Sequence, residues 1–237
     1  MNILALDTCF GACSVAAGRL TSATMLPSAH EFELRQTGHA EALMPMVERV
    51  MARSGFSFAE LDRIAVTTGP GSFTGMRIGI AAARALSLAT GAPVVGLPTL
   101  EVMAVTARRR HALREPRAPL PPALMIAVDA RKDQVYAQMF GSGSATHAAA
   151  VLTPAEAAGL VTEGNVAIAG SGAALIASHI DQSRTNVIFL CPDLQPDAAC
   201  LLSLAYDARE DKNPVRPLYL RPPDAKPQDG KSIPRMS

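Results

Sequence analysis

Residues 64–91 read IAVTTGPGSFTGMRIGIAAARALSLATG, and this stretch decides the fold. Ile64 to Thr68 is short, apolar and β-branched, the composition of a buried strand. Gly69-Pro70-Gly71-Ser72-Phe73-Thr74-Gly75 cannot extend that strand and forces a turn. From Met76 the chain is rich in alanine with no proline until Pro93, which predicts a helix. Strand, glycine loop and helix in this order put backbone N–H groups and the Ser72 and Thr74 hydroxyls at a helix N-terminus, where an anion is stabilised.

A Walker loop is excluded, because it needs two glycines with four residues between them, followed by Lys and Ser/Thr. Gly69 and Gly75 are too far apart, Gly71 and Gly75 too close, and Met76-Arg77 stands where the lysine belongs. Two readings of the loop stay open. The glycines cradle a nucleotide or other anion, or they only let the helix dock tightly on its sheet.

The helix has more apolar surface than one sheet can cover. At about 100° per residue, Ile78, Ala81, Ala82, Ala85, Leu86 and Ala89 share one face. Met76, Ile80 and Ala83 lie opposite, with charge confined to Arg77 and Arg84. Upstream, residues 39–55 read HAEALMPMVERVMARSG, a second helix with Gly55 as its C-cap and a kink or broken first turn expected at Pro45. Leu43, Met44, Met46, Val47, Val50 and Met51 spread over roughly 160°, wider than the ~100° stripe of a singly packed helix. The partner-interface expectation is therefore Leu43, Met44, Met46, Val47, Val50, Met51, Met76, Ile80 and Ala83. The competing reading is a helix seated in a deep groove of its own domain.

Composition narrows the class. The chain has 237 residues and a net charge of +1, enough for a substantial core and too little charge for a global nucleic-acid-binding field. Its four cysteines, at 9, 13, 191 and 200, suit neither a disulfide scaffold nor a zinc site. MNILALDT lacks a basic leader, and Arg84, Gly91 and Pro93 interrupt the apolar run 78–97. A cytoplasmic protein without a membrane segment is expected.

Taken in order, Asn2 to Leu6 and Cys13 to Ala17 read as a strand, turn, strand ending its first strand on Asp7-Thr8. Residues 34–39 read as a connection. After the glycine loop and its helix come a short strand, Val94 to Leu97, and a helix over Glu101 to His111. Arg108-Arg109-Arg110-His111, Arg114 and Arg117 form the one basic cluster, read as a solvated helix end or an RNA contact, before the proline-rich linker 116–122. Leu124 to Asp129 and Val135 to Phe140 then repeat the opening, with Ala127 matching Ala5 and Asp129 matching Asp7. Such an echo predicts two related lobes. A helix at 154–161, a strand at 165–169, a helix at about 173–180 and a last helix capped by Asp197 through Ala208 follow. The domains expected are 1–107, 108–221 and a disordered proline-rich tail, 222–237.

Duplicated α/β lobes, each closing its first strand on an acidic residue, resemble the two-lobed actin-like ATPase and sugar-kinase (ASKHA) fold. More narrowly, MNILALDTCFGACSVAA, HAEALMPMV, GPGSFTGMRIGIAAARAL, VDARKDQVYA and PLYLR resemble the TsaB (YeaZ) family over roughly residues 1–222. That resemblance implies a non-catalytic subunit that dimerises with its homologue TsaD through the first two helices. TsaD transfers threonylcarbamoyl to N6 of adenosine-37 in tRNAs reading ANN codons, with the ATPase TsaE as third component. It implies no cofactor of the subunit's own, ATP/ADP and metal being held by the partners, and contact with tRNA only through the complex. A weak homodimer through helices 39–54 and 75–90 is expected when the chain is alone.

The catalytic relatives carry an H-x-x-x-H metal pair, and by strand-end register those positions here are Thr99 and Met103, which cannot replace imidazole. Their glycine-rich second-lobe turn is here Ala130-Arg131-Lys132-Asp133-Gln134. Asp7, Thr8, Gly71, Ser72, Thr74 and Asp129 remain chemically able to hold nucleotide weakly. An active ATPase or small-molecule kinase using Asp7 and Asp129 is the alternative function. A metallopeptidase is the third reading, for which the chain lacks metal ligands.

Overall fold

The computed structural model describes residues 1–22, 26–161, 164–181, 183, 185–210 and 213–221; the expected disordered tail, 222–237, lies outside them. Two five-stranded sheets organise the chain. In the first, β1 (Asn2–Asp7), β2 (Ala12–Arg19) and β3 (Ala29–Leu34) form an antiparallel meander, and β4 (Arg63–Thr67) and β5 (Val94–Leu97) add in parallel on the other side of β1. In the second, β6 (Ala123–Arg131), β7 (Gln134–Phe140) and β8 (Ala150–Leu152) repeat the meander. There β9 (Gly164–Ala169) and β10 (Thr185–Leu190) add in parallel beside β6. The orders β3-β2-β1-β4-β5 and β8-β7-β6-β9-β10 are the same topology twice. The chain has the two-lobed ASKHA fold, and the Asp7/Asp129 echo marks the two central strands.

Both sheets are buried on both faces, so their central strands are continuous apolar runs that deal alternate residues to opposite sides. Helices α1 (His39–Ser54) and α2 (Phe73–Thr90) cover the face that carries Leu4, Leu6 and Val15. The other face, with Ile3, Ala5 and Ala16, is covered by α6 (Ala198–Asp207). In the second sheet Leu124, Ile126 and Val128 pack against α3 (Thr99–Arg114). Met125 and Ala127 face the short helices α4 (Pro154–Gly159) and α5 (Ala173–Ala177).

The lobes are therefore not the two halves 1–107 and 108–221. Position 107/108 falls inside α3, which gives Val102 to the first lobe's core and Leu100 and Met103 to the second's. Helix α6 and Val215 return to the first lobe. Local sequence carries no sign of that return, because α6 is apolar enough for either sheet.

The expected interface residues need a larger correction. Leu43, Met46, Val47, Val50, Met51, Met76, Ile80 and Ala83 are all buried inside the protomer, none more than 5% exposed. Met44 alone of the nine is exposed, at 39%. The wide arc of α1 is filled by β2, β3, α2 and the returning Phe56 and Leu61. Helix α1 runs through Pro45 as one element, and Gly55 (φ 81°) ends it. Helix α2 is rolled opposite to expectation: Gly75, Met76, Gly79, Ile80, Ala83 and Leu86 face inward, and Ala81, Ala85, Leu88 and Ala89 face outward.

Candidate functional site

The roll of α2 is set by close approach to β1. A Cβ on Gly79 would meet the Thr8 hydroxyl at 2.7 Å, and one on Gly71 would meet the Cys9 carbonyl oxygen at 2.7 Å. Only a glycine face fits there. Ser72 caps the helix by accepting from Gly75 N–H at 3.0 Å, and Thr8 donates its hydroxyl to the Gly75 carbonyl at 2.7 Å. The tight-docking reading of the glycines holds for Gly71, Gly75 and Gly79.

What this leaves outside is a stripe along α2. Ala81, Ala85 and Leu88 are exposed, Leu88 at 90%, and Arg77 and Arg84 flank them on the same face. On the neighbouring α1, Ala40, Met44, Pro45, Glu48 and Ala52 also face outward. Small residues at i and i+4 beside a bare leucine allow a second helix to approach closely.

Between the lobes lies a cleft of about 970 Å³. Gly71, Ser72, Thr74 and Asp129 line it, as do Phe10, His39, Tyr136 and Tyr219. Of the six residues expected to hold nucleotide, these four converge and two do not. Asp7 and Thr8 are buried behind the wall. Asp7 Oδ1 accepts from the Thr67 hydroxyl and from Cys9 N–H, and Oδ2 has no partner. Burial pushes its carboxyl up to about 7 against those hydrogen bonds, with the Asp197 charge adding a little; the charged form is disfavoured in low dielectric.

The second-lobe turn is also occupied. Asp129 accepts from Arg131 N–H at 2.7 Å, and its own N–H donates to Ser171 Oγ at 3.1 Å. Arg131, Lys132 and Asp133 have φ of 61°, 54° and 53°, a left-handed run that non-glycine residues adopt at a cost. Arg221 reaches this turn from the end of the described chain and donates to the Ala130 carbonyl at 2.8 Å and to Gln134. Opposite it, Tyr219 stacks on Phe73 with centroids 5.4 Å apart, and the Arg77 guanidinium lies 3.7 Å over Phe73. Residue-by-residue reading missed Phe73, which lies in the quoted GPGSFTG loop, and Tyr219 and Arg221, whose one signal was the PLYLR run.

The other positions singled out by the sequence have structural partners. The Thr99 hydroxyl accepts from Gly69 N–H at 2.9 Å, and Met103 is buried in the second lobe's core. Arg108 donates to the Gly141 carbonyl at 2.5 Å, whereas Arg114 and Arg117 are exposed. His30 Nε2 lies 2.9 Å from Asp197 Oδ1 and 3.5 Å from Ser14 Oγ. A hydrolytic triad needs the carboxylate on the other ring nitrogen and an accessible hydroxyl. Both partners here meet one nitrogen, and Ser14 is fully buried. This trio ties β3 to the α6 N-terminus. Among the described residues no cluster of three His, Cys, Asp or Glu side chains is placed to hold a metal. None of their helices is long and apolar enough to cross a membrane.

Residues 33–192 match the family model described as TsaD: tRNA N6-adenosine threonylcarbamoyltransferase. The solved structure of YeaZ from Pseudomonas aeruginosa is 30% identical, with a TM-score of 0.71 over 92% of this chain and 99% of that one. The chain belongs to the TsaB (YeaZ) family. A second Pseudomonas aeruginosa structure, an uncharacterized protein with similarity to peptidase YEAZ, gives 29% identity and a TM-score of 0.74 over 93% and 99% of the two chains. The tRNA threonylcarbamoyladenosine biosynthesis protein TsaB of Escherichia coli (strain K12) is 39% identical over 136 residues, 57% of this chain and 53% of that one. The match thus spans about half the length of the curated TsaB relatives, 53% and 52% for the Escherichia coli and Haemophilus influenzae proteins. The likeness to the two solved structures, by contrast, runs nearly end to end.

Proposed function

We propose that this TsaB-family chain is a non-catalytic subunit that dimerises with a TsaD-type homologue and supports threonylcarbamoyl transfer to N6 of adenosine-37 in tRNAs reading ANN codons. The observation that carries the reading is the outward stripe of α2, with Leu88 bare at 90% between small residues, together with the exposed Met44 on α1. A partner of the same fold presents an equivalent helix pair, so the two bundles meet across a pseudo-two-fold axis and bury both stripes. The same stripe forms a weak homodimer when no TsaD-type chain is present. TsaE joins as a third component, tRNA is met through the complex, and ATP/ADP and metal sit in the partners.

The cleft chemistry supports a subunit without turnover of its own. Its first-lobe carboxylate, Asp7, is sealed from the cleft, and Thr8 holds α2. An ATPase or kinase reading needs an accessible acidic group there. Weak nucleotide contact is confined to Gly71, Ser72, Thr74 and Asp129.

Reconstitution tests the proposal. With an activated threonylcarbamoyl donor and ATP supplied, transfer to tRNA with release of the donor's leaving group is expected from the chain together with a TsaD-type enzyme and TsaE, and none from the chain alone. ATP hydrolysis or transfer by the purified chain, lost in Asp129→Asn, would overturn it.

A further inference from the structure

Residues 213–221 bridge the two lobes. Arg84, on the exposed face of α2, donates to the Val215 carbonyl. Leu218 N–H donates to the Thr68 carbonyl at 2.7 Å, seating the segment on the end of β4. Arg77 Nε donates to the Tyr219 hydroxyl at 2.9 Å while its guanidinium covers Phe73. Two residues later Arg221 grips the carbonyls of Ala130 and Arg131 and the side chain of Gln134 in the second lobe.

We propose that this segment is an interlobe clasp that couples the exposed face of α2 to the β6–β7 hairpin. Arg77 and Arg84 project from the helix that carries the outward stripe, and both hold the segment. Its far end holds a hairpin whose three left-handed residues need outside support. A disturbance at Arg77 therefore changes the register of Tyr219, then the grip of Arg221, then the hairpin at the cleft wall. The physical path is contiguous, made of named hydrogen bonds, one aromatic stack and the backbone from Tyr219 to Arg221, and the coupling along it is what the variants below measure. Elsewhere along the lobe boundary Gly11 N–H donates to Gln195 Oε1 at 2.8 Å and Phe10 meets Tyr136, ring centroids 6.4 Å apart. The clasp is built entirely from this chain's own residues, whatever partner docks on α2.

Hydrogen exchange by mass spectrometry on the full chain tests it. Arg221→Ala is expected to speed exchange in residues 129–135 at least tenfold while β1 and β4 stay unchanged. Arg77→Ala, which removes a side chain that touches neither the hairpin nor Arg221, is expected to speed the same peptides about threefold. Tyr219→Phe, which keeps the ring stacked on Phe73 and removes only the hydroxyl that meets Arg77, is expected to follow Arg77→Ala. Unchanged exchange at 129–135 in Arg221→Ala overturns the clasp. A hairpin that answers Arg221→Ala but not Arg77→Ala or Tyr219→Phe overturns the coupling.

Discussion

The carbonyl oxygen of Thr8 lies so close to Gly75 that a Cβ there would overlap it, and the Thr8 hydroxyl donates back to the Gly75 carbonyl at 2.7 Å. This contact between the end of β1 and the first turn of α2 decides which face of the helix is left for anything else. In an ordinary exposed helix, Gly→Ala gains up to about 1 kcal/mol. Here the sign reverses. Gly75→Ala is expected to cost about 3 kcal/mol or more, since the obstacle is backbone and cannot rotate away, read as a lower denaturant midpoint at unchanged slope.

Asp7 gives the protein an unusual pH dependence. Its folded pKa, about 7 against an ordinary 3.8, means that the folded state holds a proton the unfolded chain has already lost. That contribution is fully present below about pH 4, declines as pH rises, and is gone above about pH 7. The ceiling on the loss is on the order of 4 kcal/mol. Urea titrations at pH 5 and pH 8 should show wild type weaker at pH 8, and Asp7→Asn should flatten the difference. A wild-type stability that rises between those pH values would contradict the burial of an ionisable Asp7.

Val47→Glu and Ala83→Glu are folding mutations. Both side chains are fully buried against the first sheet, so a carboxylate there is unpaired in the core and costs several kcal/mol. Insolubility or a melting temperature lowered by ten degrees or more is the expected result. Folded, monomeric Val47→Glu with wild-type melting would show that α1 faces outward after all.

The ion pairs between β3 and α1 contribute little by comparison. Glu31 meets Arg49 and Arg53, whose side chains are more than half exposed, and solvent screens such pairs. Arg49→Ala is expected to change stability by less than about 1 kcal/mol, measured by the same urea titrations.

The duplicated topology was legible because Asp7 and Asp129 end matching apolar strands, and the glycine loop announced α2. Other features were not, the short strand β8 and the parallel strand β10 among them. Strand β3 shows Glu31 and Glu33 along an edge and lacks the apolar run of a central strand. The return of α6 to the first lobe depends on tertiary packing that no local pattern encodes. The roll of α2 was hidden because both its faces are apolar or small, so hydrophobicity could not choose between them. Gly75 and Gly79 carried the answer, since two glycines four residues apart mark the face that touches backbone. The expectation that two helices meet a partner attached itself to Met76, Ile80 and Ala83, when the free face is Ala81, Ala85 and Leu88.

That correction makes the central claim measurable in one experiment. Calorimetric titration of the chain with a TsaD-type partner should show binding at least a hundredfold weaker for Leu88→Glu than for wild type, with the melting temperature of the free chain unchanged, because Leu88 is 90% exposed. Wild-type affinity in Leu88→Glu, with the fold intact, would contradict the assignment of the outward face of α2 as the docking surface.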